Sequence, residues 1–301
     1  MTHAEHLTPG QHLEEELRSQ PDSWARAAAL TAEQAALPAS GARVAIVGCG
    51  TSWFMAQSVA ALREAGGHGV TDAVTGSEPF PRRDYDNVIA LSRSGTTTEV
   101  LEVLRGLHGR VPTIGIIGDP DTPMVGLLDT VIALPFADEQ SVVQTRFATT
   151  ALALMRAWLG ENLDDVIAQG RHAVDAVLDE SLIAAEQYTF LGTGFSIGLA
   201  NEAALKMREA SQSWTESYPA KEYRHGPISI AAPGRVTWMF GTPPEGLAAS
   251  VAATGAHFEN RAVDPMADLI RAQRVALERA RRAGLDPDVP RNLTRSVILD
   301  S

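Results

Sequence analysis

Two short segments gather serine and threonine hydroxyls around glycine, each between an apolar run and a helix-forming stretch. In GCGTS, residues 48–52, the glycines let the backbone turn tightly and Thr51 and Ser52 fall at a helix start. In SRSGTTTE, residues 92–99, Ser92, Ser94, Thr96 and Thr97 surround Gly95 directly before the next helix. Hydroxyls and backbone N–H groups at a helix N-terminus stabilise an anion, and two such turns on consecutive strand ends suit a phosphate monoester. One such turn alone would be ordinary N-capping, which Ser and Thr favour in any protein. The repetition turns the reading towards a site.

A third segment, residues 201–229, reads NEAALKMREASQSWTESYPAKEYRHGPIS. On a helix, Glu202, Lys206 and Glu209 stand at i, i+4 and i+7, so a cation sits between two carboxylates on one face. On a solvated face this is a salt-bridge ladder of about 0.3 to 0.5 kcal/mol per pair. In a buried setting, it is a carboxylate base whose proton affinity is set by the ammonium and by burial. His225 lies in a polar turn before Gly226 and Pro227. Its ordinary pKa near neutrality fits it to donate and accept protons.

These residues need elements to hold them. Helical spacing predicts a leading helix over 11–36, with Leu13, Leu17, Trp24, Ala28 and Leu30 on one face and Pro38 as a stop. Apolar runs at 44–47, 88–91, 113–117 and 131–134 alternate with helical stretches at 52–65, 97–107 and 141–159. The pattern then repeats: a helical stretch near 162–186, a strand at 188–191, a helix at 196–211, a strand at 236–240, a helical segment near 246–254 and a long helix at 265–283. GCGTS at Gly48 is echoed by GTGFS at Gly192, and VIAL at Val88 by VTWM at Val236, at offsets near ~145 residues. Strands alternating with helices predict an α/β fold with mostly parallel sheets covered on both faces. The join around 160–170 divides the chain into units 1–165 and 166–301.

Composition narrows the function. A chain of 301 residues suits two domains, and 45% hydrophobic with 21% charged residues is ordinary for a globular protein. No apolar run suits a membrane helix, and the acidic opening MTHAEHLTPGQHLEEELRSQ lacks the pattern of a secretion signal, so a cytoplasmic protein is expected. A net charge of -12 argues against nucleic acid as a partner. The single cysteine, Cys49, can form neither an internal disulfide nor a thiolate cluster and is expected as a small buried residue. A dinucleotide fold also starts with a strand and a glycine turn. However, GCGTSW lacks the third glycine, and Asp72 and Glu78 are only loose candidates for a ribose-binding acid.

Taken together, GCGTSW, LSRSGTTTEVLEVLR, FLGTGFSIGLANEAALKMREAS, KEYRHGPIS and the C-terminal PRNLTRSVILDS resemble the sugar isomerase (SIS) superfamily. The likeness is to the tandem SIS arrangement found in the isomerase half of glucosamine-6-phosphate synthase and in aminosugar-phosphate deaminases and isomerases. It implies two tandem SIS modules and a homodimer with shared active sites, binding a small sugar phosphate without metal or other cofactor. It implies that Thr51, Ser52, Ser92, Arg93, Ser94 and Thr97 hold the phosphate. In the same way Glu209 moves a proton between C1 and C2 of the opened sugar, aided by Glu202 and Lys206, and His225 of a neighbouring subunit opens the ring.

Three departures qualify that expectation. A glutaminase domain with a nucleophilic N-terminal cysteine has no counterpart in this sequence, so glutamine is not expected as nitrogen donor. Arg93 stands where the family has glutamine, and VVQTRFA at 142–148 replaces an ASTK-like run, adding charge near the phosphate and removing a hydroxyl. In the tail, Arg295 replaces the lysine that forms a Schiff base, and a guanidinium is no nucleophilic amine. The expected function is therefore an aminosugar 6-phosphate isomerase or deaminase working through an enediol or enolamine. The alternatives are a 6-phospho-fructosamine deglycase, with Arg295 pairing a ligand carboxylate, and a sugar-phosphate sensor without turnover.

Overall fold

The computed structural model describes residues 8–299. The first seven residues of the acidic opening and the last two of PRNLTRSVILDS lie outside the described residues. The single leading helix expected over 11–36 is three helices, α1 (Gln11–Arg18), α2 (Gln20–Ala28) and α3 (Thr31–Ala35). The first break follows from Pro21 in the opening turn of α2. With no N–H, Pro21 cannot donate to the Leu17 carbonyl and continue α1.

The chain continues through β1 (Val44–Gly48), α4 (Thr51–Ala65), β2 (Thr71–Thr75), β3 (Asn87–Ser92), α5 (Thr98–Leu107), β4 (Thr113–Ile117), β5 (Thr130–Ala133) and α6 (Arg146–Trp158). Next come α7 (Asp164–Asp175) and α8 (Glu180–Ala184), which divide the helical stretch expected near 162–186. Then follow β6 (Gln187–Gly192), α9 (Ser196–Ser211), β7 (Thr215–Pro219), β8 (Arg235–Met239), α10 (Leu247–Ala252), β9 (His257–Asn260) and α11 (Pro265–Arg282).

The fold is α/β, with two sheets whose strands all pair in parallel. The five-stranded sheet runs β2-β1-β3-β4-β5 and the four-stranded sheet β7-β6-β8-β9. The second order repeats that of β2-β1-β3-β4, as the echoed glycine turns anticipate. The central strands are buried along their length, hence their continuous apolar runs.

One continuous apolar core joins the halves, drawing on Ile46, Ile89 and Ile116 of the first sheet and on Phe190, Trp238 and Phe240 in and beside the second. Smaller clusters fill the far faces under α5 and α10. The two halves meet most closely where α9 crosses α4. Gly198 makes that crossing possible, because a Cβ there would run into the Phe54 carbonyl and the Ser58 hydroxyl of α4. This contact carries the face of α9 with Glu202, Lys206 and Glu209 to the strand ends of the first sheet. Among the described residues no helix is long and apolar enough to cross a membrane.

Candidate functional site

The N-termini of α4 and α5, the α9 face and the C-terminal tail converge on one cavity of about 190 Å³. Of the residues singled out by sequence, Thr51, Ser52, Ser92, Arg93, Ser94, Thr97, Lys206, Glu209 and Arg295 line it. Glu202 is buried behind Lys206 rather than in the lining, and His225 is exposed and outside the lining. A larger open hollow of about 950 Å³ lies between loop 76–85 and α5 and contains none of these residues.

The turn after β3 is built by its own hydroxyls. Ser92 Oγ accepts from Gly95 N at 3.0 Å, and Ser94 Oγ accepts from Thr96 N at 3.3 Å and Thr96 Oγ1 at 3.1 Å. Gly95 takes a φ of 60°, and a Cβ there would strike Thr122. These bonds occupy the N–H groups of Gly95 and Thr96, so the turn offers fewer bare amides than its sequence suggests. The serine oxygens act as acceptors and keep their O–H groups to donate. Thr51 and Ser52 begin α4 and are buried against the cavity. The two helix N-termini aim their dipoles at the same space, which favours an anion.

Arg93 brings a cation to the wall, but its terminal nitrogens are committed to backbone carbonyls. Nη1 donates to Ser141 O at 3.0 Å and Val142 O at 3.3 Å, and Nη2 donates to Arg295 O at 2.8 Å. Arg295 in turn binds Asp138 Oδ1 at 2.5 Å and the Glu139 carbonyl. The two arginines thereby tie the tail to loop 138–145. The tail goes on to accept from Thr98 N through Val297 O at 3.2 Å, and Leu299 N donates back to Thr98 Oγ1 at 3.0 Å. It thus closes the cavity over the start of α5.

On α9, Lys206 Nζ hydrogen-bonds Glu209 Oε2 and lies 3.6 Å from Glu202 Oε1. The side chains are exposed by 0% for Glu202, 2% for Lys206 and 19% for Glu209, so only Glu209 among the carboxylates meets the cavity. Burial pushes Glu202 up to about 8, against the opposing charge of Lys206 and with help from Glu209. Lys206 is weakened as a cation by its own burial, yet the two flanking carboxylates raise it above the usual lysine range. Near neutrality Glu202 is therefore held protonated and Lys206 stays an ammonium.

Cys49, expected as a small buried residue, is half-buried and lines the cavity. Burial and the nearby Glu99 raise its pKa, so it remains a neutral thiol. Sequence reasoning passed over Gln144 as a site residue, although it lies in the departing run VVQTRFA. It lines the cavity as well.

In open parallel α/β sheets ligands bind in the crevice at the carboxyl ends of the strands, and here that crevice is lined by hydroxyls and favours an anion. No family model matches the chain. Its sequence relatives include the glutamine–fructose-6-phosphate aminotransferases (isomerizing) of Gloeobacter violaceus, 28% identical over 316 residues, and of Aeropyrum pernix, 29% over 325 residues. These alignments cover 86% and 88% of this chain, which spans about half the length (52%) of each relative. The fold is shared with a glucosamine-6-phosphate deaminase of Thermotoga maritima (TM-score 0.82, 23% identity, 95% of this chain and 99% of that one). It is shared too with the C-terminal domain of the Francisella tularensis glucosamine-fructose-6-phosphate aminotransferase (TM-score 0.74, 20%, covering 96% and 100%). A third is the tagatose-6-phosphate ketose/aldose isomerase of Escherichia coli (TM-score 0.79, 20%, covering 97% and 99%). The chain is thus homologous to the isomerase (SIS) segment of the aminotransferases, as the motifs indicated.

Proposed function

We propose that the chain is a phosphosugar isomerase-type enzyme built from two SIS modules, residues 1–165 and 166–301, which converts an aminosugar 6-phosphate to a ketose 6-phosphate with release of ammonia. One observation carries this reading: a single cavity joins the hydroxyl turns at two helix N-termini to Glu209, the carboxyl of α9 that lines it. The phosphate sits against Ser92, Ser94, Thr97, Thr51 and Ser52. Glu209 takes the C2 proton of the opened 2-amino aldose as the electron pair moves into the C1 carbonyl, giving an enolamine. The same carboxyl returns the proton to C1, and water then cleaves the resulting ketimine into ketose and ammonia. Lys206 contacts the Glu209 carboxyl and positions it, and the protonated Glu202 adds no competing charge beside the ammonium.

Sequence relatives named as aminotransferases, and structural neighbours named as a deaminase and a ketose/aldose isomerase, support this class of chemistry. The deglycase alternative needs Arg295 for a ligand carboxylate, and its pairing with Asp138 weighs against that. The deciding experiment offers the protein hexose, hexosamine, N-acetylhexosamine and fructosamine 6-phosphates and follows ammonia, amine release and isomerisation. Ammonia from a hexosamine 6-phosphate is expected. No turnover of any of them, with binding retained, would favour the sensor.

Two further results follow from the site. Ser94→Ala removes a free O–H donor and weakens hexose 6-phosphate binding by about 1 to 3 kcal/mol in calorimetric titration. An unchanged Kd would move the phosphate off this turn. His225, outside the cavity of its own chain, serves the site only if a second copy supplies it. Glu209→Gln and His225→Ala variants, each inactive, are then expected to recover about a quarter of native activity when refolded together, since half the mixed dimers' sites are intact. A fully active monomer at micromolar concentration would remove His225 from the mechanism.

A further inference from the structure

Loop 138–145 leads from the β5 end to α6 and supplies Val142 and Gln144 to the cavity lining. Its backbone is held residue by residue. Glu16 of α1 accepts from Gln140 N at 2.5 Å and Ser141 N at 3.2 Å, and Asp288 O accepts from Val142 N at 3.1 Å. Arg93 takes the carbonyls of Ser141 and Val142, and Glu139 Oε1 accepts from Thr145 N at 2.7 Å and Arg146 N at 2.6 Å. Gln144 lies between these clamps. It lines the cavity and is half-buried, and its Nε2 is sealed from solvent with no hydrogen-bond partner among the described residues.

A buried amide without a partner is a cost that proteins seldom retain without a use, because its lost hydration is not replaced. Here the backbone clamps on either side hold the amide in place before any ligand arrives, as a selective contact requires. We propose that Gln144 reads a hydroxyl of the bound ligand and so sets which sugar the cavity accepts. This rests on the sugar-phosphate reading above and adds to it the residue that discriminates. A carboxamide both donates and accepts, and which end faces inward is a matter of a simple flip, so it matches a neutral hydroxyl. A phosphate dianion is better served by the hydroxyls and helix N-termini already described.

The test measures binding of an open-chain hexitol 6-phosphate, its monodeoxy analogues and inorganic phosphate to the native protein, Gln144→Met and Gln144→Ser. Methionine keeps the length and volume of the side chain and removes both polar ends. Serine guards against a fold defect specific to methionine. Gln144→Met is expected to weaken the hexitol phosphate by about 5- to 10-fold and to leave inorganic phosphate unchanged. One monodeoxy analogue should bind the native protein as weakly as the variant does and lose nothing further in the variant, a coupling that a merely structural role would not produce. Equal loss for all ligands including phosphate, or no loss in either variant, overturns the role of Gln144 and leaves the sugar-phosphate reading intact. A native protein that binds none of the probes overturns that reading itself, and the role of Gln144 with it.

Discussion

Glu209→Gln is expected to lower turnover by about 10² to 10⁴ while sugar-phosphate binding stays within a few fold of native. A proton shuttled between adjacent carbons needs one base near both, and Glu209 alone among the buried carboxyls of α9 reaches the cavity. Glutamine keeps the size and the hydrogen-bonding edge and removes the basicity. Lys206, which now contacts the Glu209 carboxylate, would turn its full charge on Glu202 and draw out its proton, so the helix keeps an ion pair and its fold. Solvent deuterium should enter C1 or C2 of the product made by the native protein, reduced to the extent that the carboxyl returns the same proton. Steady-state rates and calorimetry on the substrate found in the panel decide the matter, and unchanged turnover would end the mechanism.

The central strands were legible because burial on both faces leaves an uninterrupted apolar run, as in VAIVG of β1 and TIGII of β4. The strands that sequence reasoning missed, β2, β7 and β9, are all sheet edges. Their sequences TDAVT, TESYP and HFEN mix polar residues into short stretches that periodicity does not separate from loops. The face holding Glu202, Lys206 and Glu209 could be read from helical spacing. Its burial could not, because that depends on α9 crossing α4 at Gly198, a contact between residues far apart in the chain. Arg93 was read as charge near the phosphate, yet most of its donors go to carbonyls of a loop nearly fifty positions away and of the tail. Gln144 gave no signal of its own, since an unpartnered amide is defined by what surrounds it. Long-range backbone acceptors of this kind leave no trace in residue spacing.

Lys206→Met should cost stability in a way that depends on pH, and the dependence identifies the cause. In the native protein, Glu202 is raised from an ordinary carboxyl value to about 8 by burial, and Glu16 likewise to about 8 by burial and the charge of Glu139. Between the unfolded carboxyl pKa and about 8, the folded state binds more protons than the unfolded one, so stability falls as pH rises through this window. Lys206, itself raised, loses its contribution only above the usual lysine range, outside the window. The surface carboxyls held low, such as Asp86 and Glu180, lose theirs only in acid. Denaturant unfolding of the native protein should therefore give its highest stability near pH 5 to 6 and a decline towards pH 9.

Removing the ammonium exaggerates that decline. At pH 6 Glu202 stays protonated and Met fills the space, so the loss is no more than about 1 to 2 kcal/mol from packing and the Glu209 contact. At pH 9 the variant must either bury an unpaired carboxylate or hold a proton against the solvent, and the loss should reach about 3 to 5 kcal/mol. Adding Glu202→Gln to Lys206→Met leaves no charge to strand, so the double variant should recover most of the high-pH loss. It should also flatten the decline that Glu202 contributes, leaving the share due to Glu16. A loss in Lys206→Met that is the same at pH 6 and pH 9, or one that the second substitution does not relieve, would mean that the side chain acts through packing alone. Glu202 would then be ionised and compensated in some other way, and the protonated carboxyl behind Lys206 would drop out of the account of how α9 presents Glu209 to the cavity.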